Sequence, residues 1–153
     1  MAKLAIPAFV AAVSQGERAS GTTPPEVANR IDARADAALA ALPGLERRRA
    51  ARNPELAATL GDIRRMALLG KYYAAKIRGA TELALYRASK QPARQRAAIA
   101  HLERAAAIWA QYITSAGQAY KNPFWTNRVG IVDWNELNQA VQKDVEIARA
   151  SFH

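Results

Sequence analysis

A run without proline, residues 55–88, ELAATLGDIRRMALLGKYYAAKIRGATELALYRA, constrains this chain more than any other feature. Its apolar residues recur at three and four residue steps, the helical period, so the run reads as one helix. At ~1.5 Å per residue it spans roughly 50 Å, which makes it the post around which a small domain is built. Leu60, Ile63, Ala67, Ala74, Ile77 and Ala84 trace one apolar line, and Met66, Leu69, Tyr73, Ala80 and Leu83 trace a second beside it. A surface that wide needs more than one partner helix. The expected fold is therefore all-α, an up-and-down helical bundle built on a central helix over about 55–88 with antiparallel partners.

The partners are marked by their start signals. Thr23, Pro24 and Glu26 have the form of a capping box with proline at the first helical position. Behind them Val27, Ile31, Ala35, Ala38 and Leu42 form one apolar seam, which Pro43 and Gly44 are expected to end. Asn53 and Pro54 restart the helix by the same logic. Ser89 to Pro92 reads as a turn, after which Ile99, Leu102, Ala106, Trp109, Ile113, Ala116 and Tyr120 alternate as the seam of an antiparallel partner. Asp133 with Glu136 reads as the capping box of a last helix carrying Leu137, Val141, Val145, Ala148 and Phe152.

This divides the chain into an N-terminal short helix and loop, residues 1–22, and a helical bundle domain, residues 23–153. The segment LAIPAFVAAV after Lys3 imitates a secretory signal, but it is shorter than the ~15–30 residues of such signals and contains a proline. The preferred reading is a short helix with Ala5, Phe9 and Ala12 on one side, packed against the end of the bundle.

At 153 residues the chain suits one domain with a hydrophobic core, and without cysteine that core must be held by packing alone. No apolar run approaches the ~20 residues of a membrane span, so none is expected. The net charge of +9 attracts anionic partners at long range but names none of them. Two basic features stand out. The run ERRRAAR, 46–52, reads as a solvated linker or an added helical turn before it reads as an anion contact. Arg64, Lys71 and Arg78, seven residues apart in turn, form a stripe expected to be the wet face of the central helix.

The glycines of that helix are informative because each costs ~1 kcal/mol relative to alanine. Gly61 and Gly79 fall on one face and Gly70 on the opposite one, beside Ala67 and Ala74, and close approach of a neighbouring helix or aromatic ring is the expected reason, with close approach of a ligand second.

Catalytic signatures are not legible. His101, expected to be exposed, and His153 cannot make a multi-histidine metal site, and Ala98 stands where a di-iron bundle needs glutamate. Glu82 and Asp62 have helical neighbours Arg78 and Arg65 as expected ion partners. Neither a glycine-rich phosphate loop nor a serine nucleophile elbow appears. No catalytic residue, metal ligand or cofactor is assigned.

The least generic stretch is 120–134, YKNPFWTNRVGIVDW, which breaks the helical period and gathers aromatic residues in one connection. One reading is an apolar cap on the end of the bundle, tied down by Arg128 and Asp133. The other is an aromatic platform for a sugar or another flat polar ligand. Its candidate contacts are Tyr120, Trp125, Asn127, Arg128, Asp133 and Trp134, with Tyr73 and Lys76 on the central helix as a second cation and aromatic pair.

LGKYY at 69–73 with AIAHLERAAAIW at 98–109 resembles the two helices of a tetratricopeptide repeat, although the interval exceeds the about 34 residues of that unit and no second copy follows. A broader resemblance runs from IPAFV through TPPEVANRID, GDIRRMALLGKYYAAKIRGATELALYRA and AIAHLERAAAIWAQY to the closing VDW. On these motifs the chain resembles the helical C-terminal region of large bacterial carbohydrate-active proteins, including α-glucuronidase-like glycoside hydrolases and carbohydrate-binding proteins. The resemblance implies a non-catalytic accessory module. Its partners would be the adjacent catalytic domain of the same parent and a saccharide, in a periplasmic or secreted setting. The rival expectation is a cytoplasmic basic bundle that binds nucleic acid or an acidic protein through 47–52 and the Arg64, Lys71, Arg78 stripe.

Overall fold

The computed structural model describes residues 3–49 and 53–150. In chain order these are α1 (Ile6–Ser14), α2 (Pro24–Arg49), α3 (Pro54–Ser89), α4 (Pro92–Gly117), the strands β1 (Phe124–Thr126) and β2 (Gly130–Val132), and α5 (Trp134–Ala150). The protein is all-α apart from that small hairpin. At 36 residues α3 is about 54 Å long, and α2 and α4 lie on either side of it.

Side-chain pairings give the directions. Asn29 meets Arg78 and Glu46 meets Arg64, so α2 runs against α3. Glu82 meets Arg94 while Arg65 reaches the Ser115 carbonyl, so α4 runs back along α3. Gln95 reaches Ala148 near the far end of α5, which reverses once more. The up-and-down order follows.

The helix starts are built as their residues predict. The Thr23 amide and hydroxyl donate to one Glu26 carboxylate oxygen, at 2.8 and 2.9 Å, and the Leu56 amide donates to Asn53 Oδ1 at 3.0 Å. The Thr23 backbone amide, then its hydroxyl, hold the Glu26 carboxyl below its usual range. Lys90, in the left-handed region at φ 57°, turns the chain from α3 into α4.

One boundary differs from expectation. Pro43 does not end α2, which continues through it to Arg49. Proline removes one amide donor and crowds the preceding turn. Here Leu42 is buried, and Glu46 Oε1 lies 2.6 Å from Arg64 of α3, so tertiary contacts hold the turn beyond the proline. Residues 46–49 of the basic run are thus an added helical turn, and 50–52 lie outside the described residues.

The hydrophobic core lies between α3, α4 and α5. Tyr72, Leu83 and Tyr86 meet Leu102, Ile108 and Trp109 of α4, and Trp134, Val141 and Val145 of α5. Gln95, fully buried, donates from Nε2 to the Ala148 carbonyl at 2.8 Å and pins the far end of α5. α2 packs on the other side of α3 with small side chains, Ala28 and Ala35, and with Leu42. α1 lies on α3, and the chain before it is anchored by the Leu4 amide on the Thr22 carbonyl at 2.9 Å.

Two of the three α3 glycines serve close helix approach, on opposite sides, whereas the nearest atoms to a β-carbon at Gly61 belong to Arg65 of its own helix. A β-carbon at Gly79 would lie 2.6 Å from Leu102 Cγ of α4, and one at Gly70 would lie 3.3 Å from Ala35 Cβ of α2. Several residues expected in apolar lines are exposed: Met66, Tyr73 and Ile63 on α3, and Leu137 on α5. On α3 the reason is that α2 and α4 leave a third side uncovered. Tyr120 lies beyond the end of α4 at Gly117, and Phe152 is outside the described residues.

Candidate functional site

The hairpin and the start of α5 close one end of the bundle. Phe124 pairs with Val132, Trp125 with Ile131 and Thr126 with Gly130, in antiparallel register. Strand alternation sends Phe124 and Val132 onto the core and Trp125 and Ile131 the other way. Asn122 staples the connection: its Nδ2 donates to Asp133 Oδ1 at 2.9 Å, and its Oδ1 accepts from the Trp134 amide at 2.9 Å. Asp133 Oδ1 also accepts from the Asn135 amide at 2.8 Å, capping α5. The Asn122 amide, then the Asn135 backbone, keep the Asp133 carboxyl below its ordinary range.

Behind the hairpin a continuous chain of rings crosses the bundle. Centroid separations run 5.0 Å from Tyr73 to Tyr72, 5.1 Å to Trp109, 5.2 Å to Tyr112, 6.4 Å to Trp134 and 5.4 Å to Phe124. All are aromatic contact distances. At the hairpin end these rings open into a cleft of about 350 Å³ lined by Tyr112, Tyr120, Lys121, Phe124 and Trp134. Its size falls within the ~300–1,000 Å³ of small-ligand sites.

Tyr120 forms the rim, and its ring lies under the Arg65 guanidinium at 5.0 Å. Its hydroxyl donates to Asp62, which Arg65 also contacts at 2.8 Å. The Tyr120 hydrogen bond, then that of Arg65, lower the Asp62 carboxyl. Burial, followed by the nearby Tyr120, raises the Tyr112 phenol, so that hydroxyl keeps its proton at neutral pH. The cleft offers apolar ring faces, one exposed ammonium at Lys121 and a neutral phenol.

The residues singled out from sequence therefore divide into separate places. Tyr120 and Trp134 line the cleft. Trp125 projects from the opposite face of the hairpin, and Asn127 and Arg128 occupy its exposed turn. Arg128 does not tie the connection down; among the described residues that role falls to Asn122 with Asp133. Tyr73 sits at the far end of the ring chain. Lys76 is engaged on Asp144 of α5 at 2.8 Å and on the Tyr72 hydroxyl at 3.3 Å. Tyr112, Lys121 and Phe124 were missed. The available signal was the two-residue alternation across Phe124 and Trp125, with Tyr112 three residues after Trp109.

The basic stripe is also not the wet face it was expected to be. Lys71 Nζ lies 2.6 Å from both Asp32 and Asp36, Arg78 is 2.8 Å from Asp32, and Arg64 pairs with Glu46. Burial opposes ionisation of Asp32, but the hydrogen bonds from Lys71 and Arg78 outweigh it and hold the carboxyl below its usual range. These cations are paired with acids of α2, so the stripe forms a seam between α2 and α3. Glu82 pairs with Arg94 of α4, through both oxygens at 3.0 Å, in place of Arg78. His101 is partly buried where exposure was expected, and burial, then Arg78, depress its pKa.

Among the described residues no three histidine, aspartate or glutamate side chains converge to hold a metal ion, and no helix is long and apolar enough to cross a membrane. Comparison of the chain with protein-family profiles, with curated proteins and with solved structures finds no match.

Proposed function

We infer that this bundle is a non-catalytic helical accessory module of a bacterial glycan-degrading enzyme and that the cleft at its hairpin end contacts saccharide. The observation that carries the reading is the cleft itself, walled by Tyr112, Tyr120, Phe124 and Trp134 with Lys121 at its edge. Aromatic faces stack against the C–H face of a pyranose, and a few polar groups fix its orientation. Asp62, which accepts from the rim residue Tyr120, is also held by Arg65, and Asp133 is engaged in capping α5. This favours binding over acid–base chemistry at the same place.

The module reading also supplies an occupant for an open groove of about 390 Å³ between α2 and α3, lined by Ile31, Ala35, Ala38, Ile63, Met66 and Gly70 among others. There the adjacent catalytic domain would cover the side of α3 that the bundle leaves bare.

Titration with neutral and uronic-acid-bearing xylo-oligosaccharides, followed by intrinsic fluorescence and calorimetry, tests the cleft. Binding is expected, and Tyr120→Ala or Phe124→Ala should weaken it about tenfold through loss of one stacking face. Failure of every saccharide to bind, or affinity indifferent to both substitutions, overturns the reading.

A further inference from the structure

The hairpin has a second face that the cleft does not use. Trp125 and Ile131, partners across the two strands, are 72% and 74% exposed, and Val129 in the turn between the strands is 72% exposed. Apart from Met66, no other large apolar side chain among the described residues is so open. These three sit on one short protrusion. The same connection carries an exposed cation, Arg128, in no ion pair among the described residues, and no acidic residue between 120 and 132. The nearest acid in sequence, Asp133, is hydrogen-bonded into the α5 cap.

Such a protrusion is poorly suited to a folded protein partner. Three side chains present on the order of a few hundred Å², against the about 800 Å² each side contributes to a stable interface. A lipid surface makes no demand for matching shape. It needs apolar side chains that reach the headgroup and acyl boundary, and cations at the level of the phosphates. An indole sits favourably at that depth because its body is apolar and its N–H is polar. The local positive charge, on a chain of net charge +9, complements anionic headgroups.

We propose that the outer face of the hairpin docks the protein on an anionic lipid surface, with Trp125, Ile131 and Val129 entering the interface and Arg128 meeting phosphate. This is peripheral attachment and involves no spanning segment. It is independent of the saccharide reading, because Phe124 and Trp125 point to opposite sides of β1.

The protein carries its own probe. Trp109 and Trp134 are each 6% exposed, so a change in emission on binding reports Trp125. The full chain is mixed with vesicles of phosphatidylcholine, or of phosphatidylcholine and phosphatidylglycerol in equal parts, and assayed by co-sedimentation, emission wavelength and quenching by brominated lipid. Anionic vesicles should sediment the protein, shift its emission to the blue and quench it, while pure phosphatidylcholine should do so far less. The double variant Trp125→Ser with Ile131→Ser should lower partitioning about tenfold or more without altering the far-ultraviolet circular dichroism or Tm. Arg128→Glu should weaken binding several-fold, with the difference fading as salt rises. Failure to bind anionic vesicles overturns the proposal. So does binding that survives the double variant, which would assign it to the basic helix faces, or a Trp125-dependent dimer in sedimentation equilibrium without lipid binding.

Discussion

On the side of α3 that faces α2, contact is made through charge. Asp32 bridges Lys71 and Arg78, Asp36 adds to Lys71, and Glu46 meets Arg64, while the apolar contribution of α2 is largely alanine. On the side that faces α4, contact is made through volume, with Leu102 seated over Gly79 and Tyr72 stacked on Trp109. Partly exposed ion pairs add little to stability, because desolvation and side-chain entropy offset the attraction. Their geometry is specific, however, and a shift of α2 by one turn would part Glu46 from Arg64 and Asn29 from Arg78. The comparison teaches a division of labour in which packing against α4 supplies stability and the seam with α2 supplies register.

The same substitution at two glycines is the sharpest way to break this comparison. Gly79→Ala places a methyl 2.6 Å from Leu102 Cγ, so Leu102 or α4 must shift, and a loss of roughly 2 kcal/mol in urea unfolding is expected. Gly70→Ala meets Ala35 at 3.3 Å, and the helix propensity gained, ~1 kcal/mol, offsets a small adjustment. Its midpoint should stay close to that of the parent. Equal losses at both sites would remove the distinction between the two sides.

A smaller effect is expected from Asp32→Ala. Lys71 keeps Asp36 and Arg78 keeps Asn29, so the remaining partners limit the loss to about 1 kcal/mol. A loss as large as that of Gly79→Ala would mean that charge is structural here, not a register device.

The smallest effect is a pH slope. Since the folded-state pKa of Asp32 is depressed, its contribution is present above the ordinary carboxylate range and is lost as pH falls below about 4, through the folded-state value. Asp32→Asn, compared with the parent by thermal unfolding across that window, should flatten the acid limb. Parallel curves would show that the acid limb belongs to other carboxylates.

The helices were legible because caps and periodicity agree. Thr23 with Glu26, Asn53 with Pro54, and the seam through Leu102 and Trp109 each appear where the residues place them. What could not be read is tertiary in origin. α2 continues past Pro43 with Leu42 buried before the proline and Glu46 paired beyond it with Arg64, a partner eighteen residues away. The stripe of Arg64, Lys71 and Arg78 looks solvated until the acids of α2 are set against it. The hairpin escaped notice because three-residue strands carry too little period to detect, and its cleft needs Tyr112 from another element. Tyr120 and Trp134 could be found as unusual residues, whereas their separation from Trp125 depends on strand alternation.

The order in which the elements touch has a consequence for how the chain reaches this shape. α2 packs on α3, α3 on α4 and α4 on α5, so almost every helix finds its main partner next along the sequence. Such short-range topology keeps loop-closure entropy low and belongs with domains that fold in microseconds to milliseconds. During synthesis, α2 emerges before the rod that will hold it, and its alanines offer little to hold a structure in the meantime. The first stable nucleus should therefore be the α3–α4 pair, with α2 returning to α3 under the guidance of its acidic side chains.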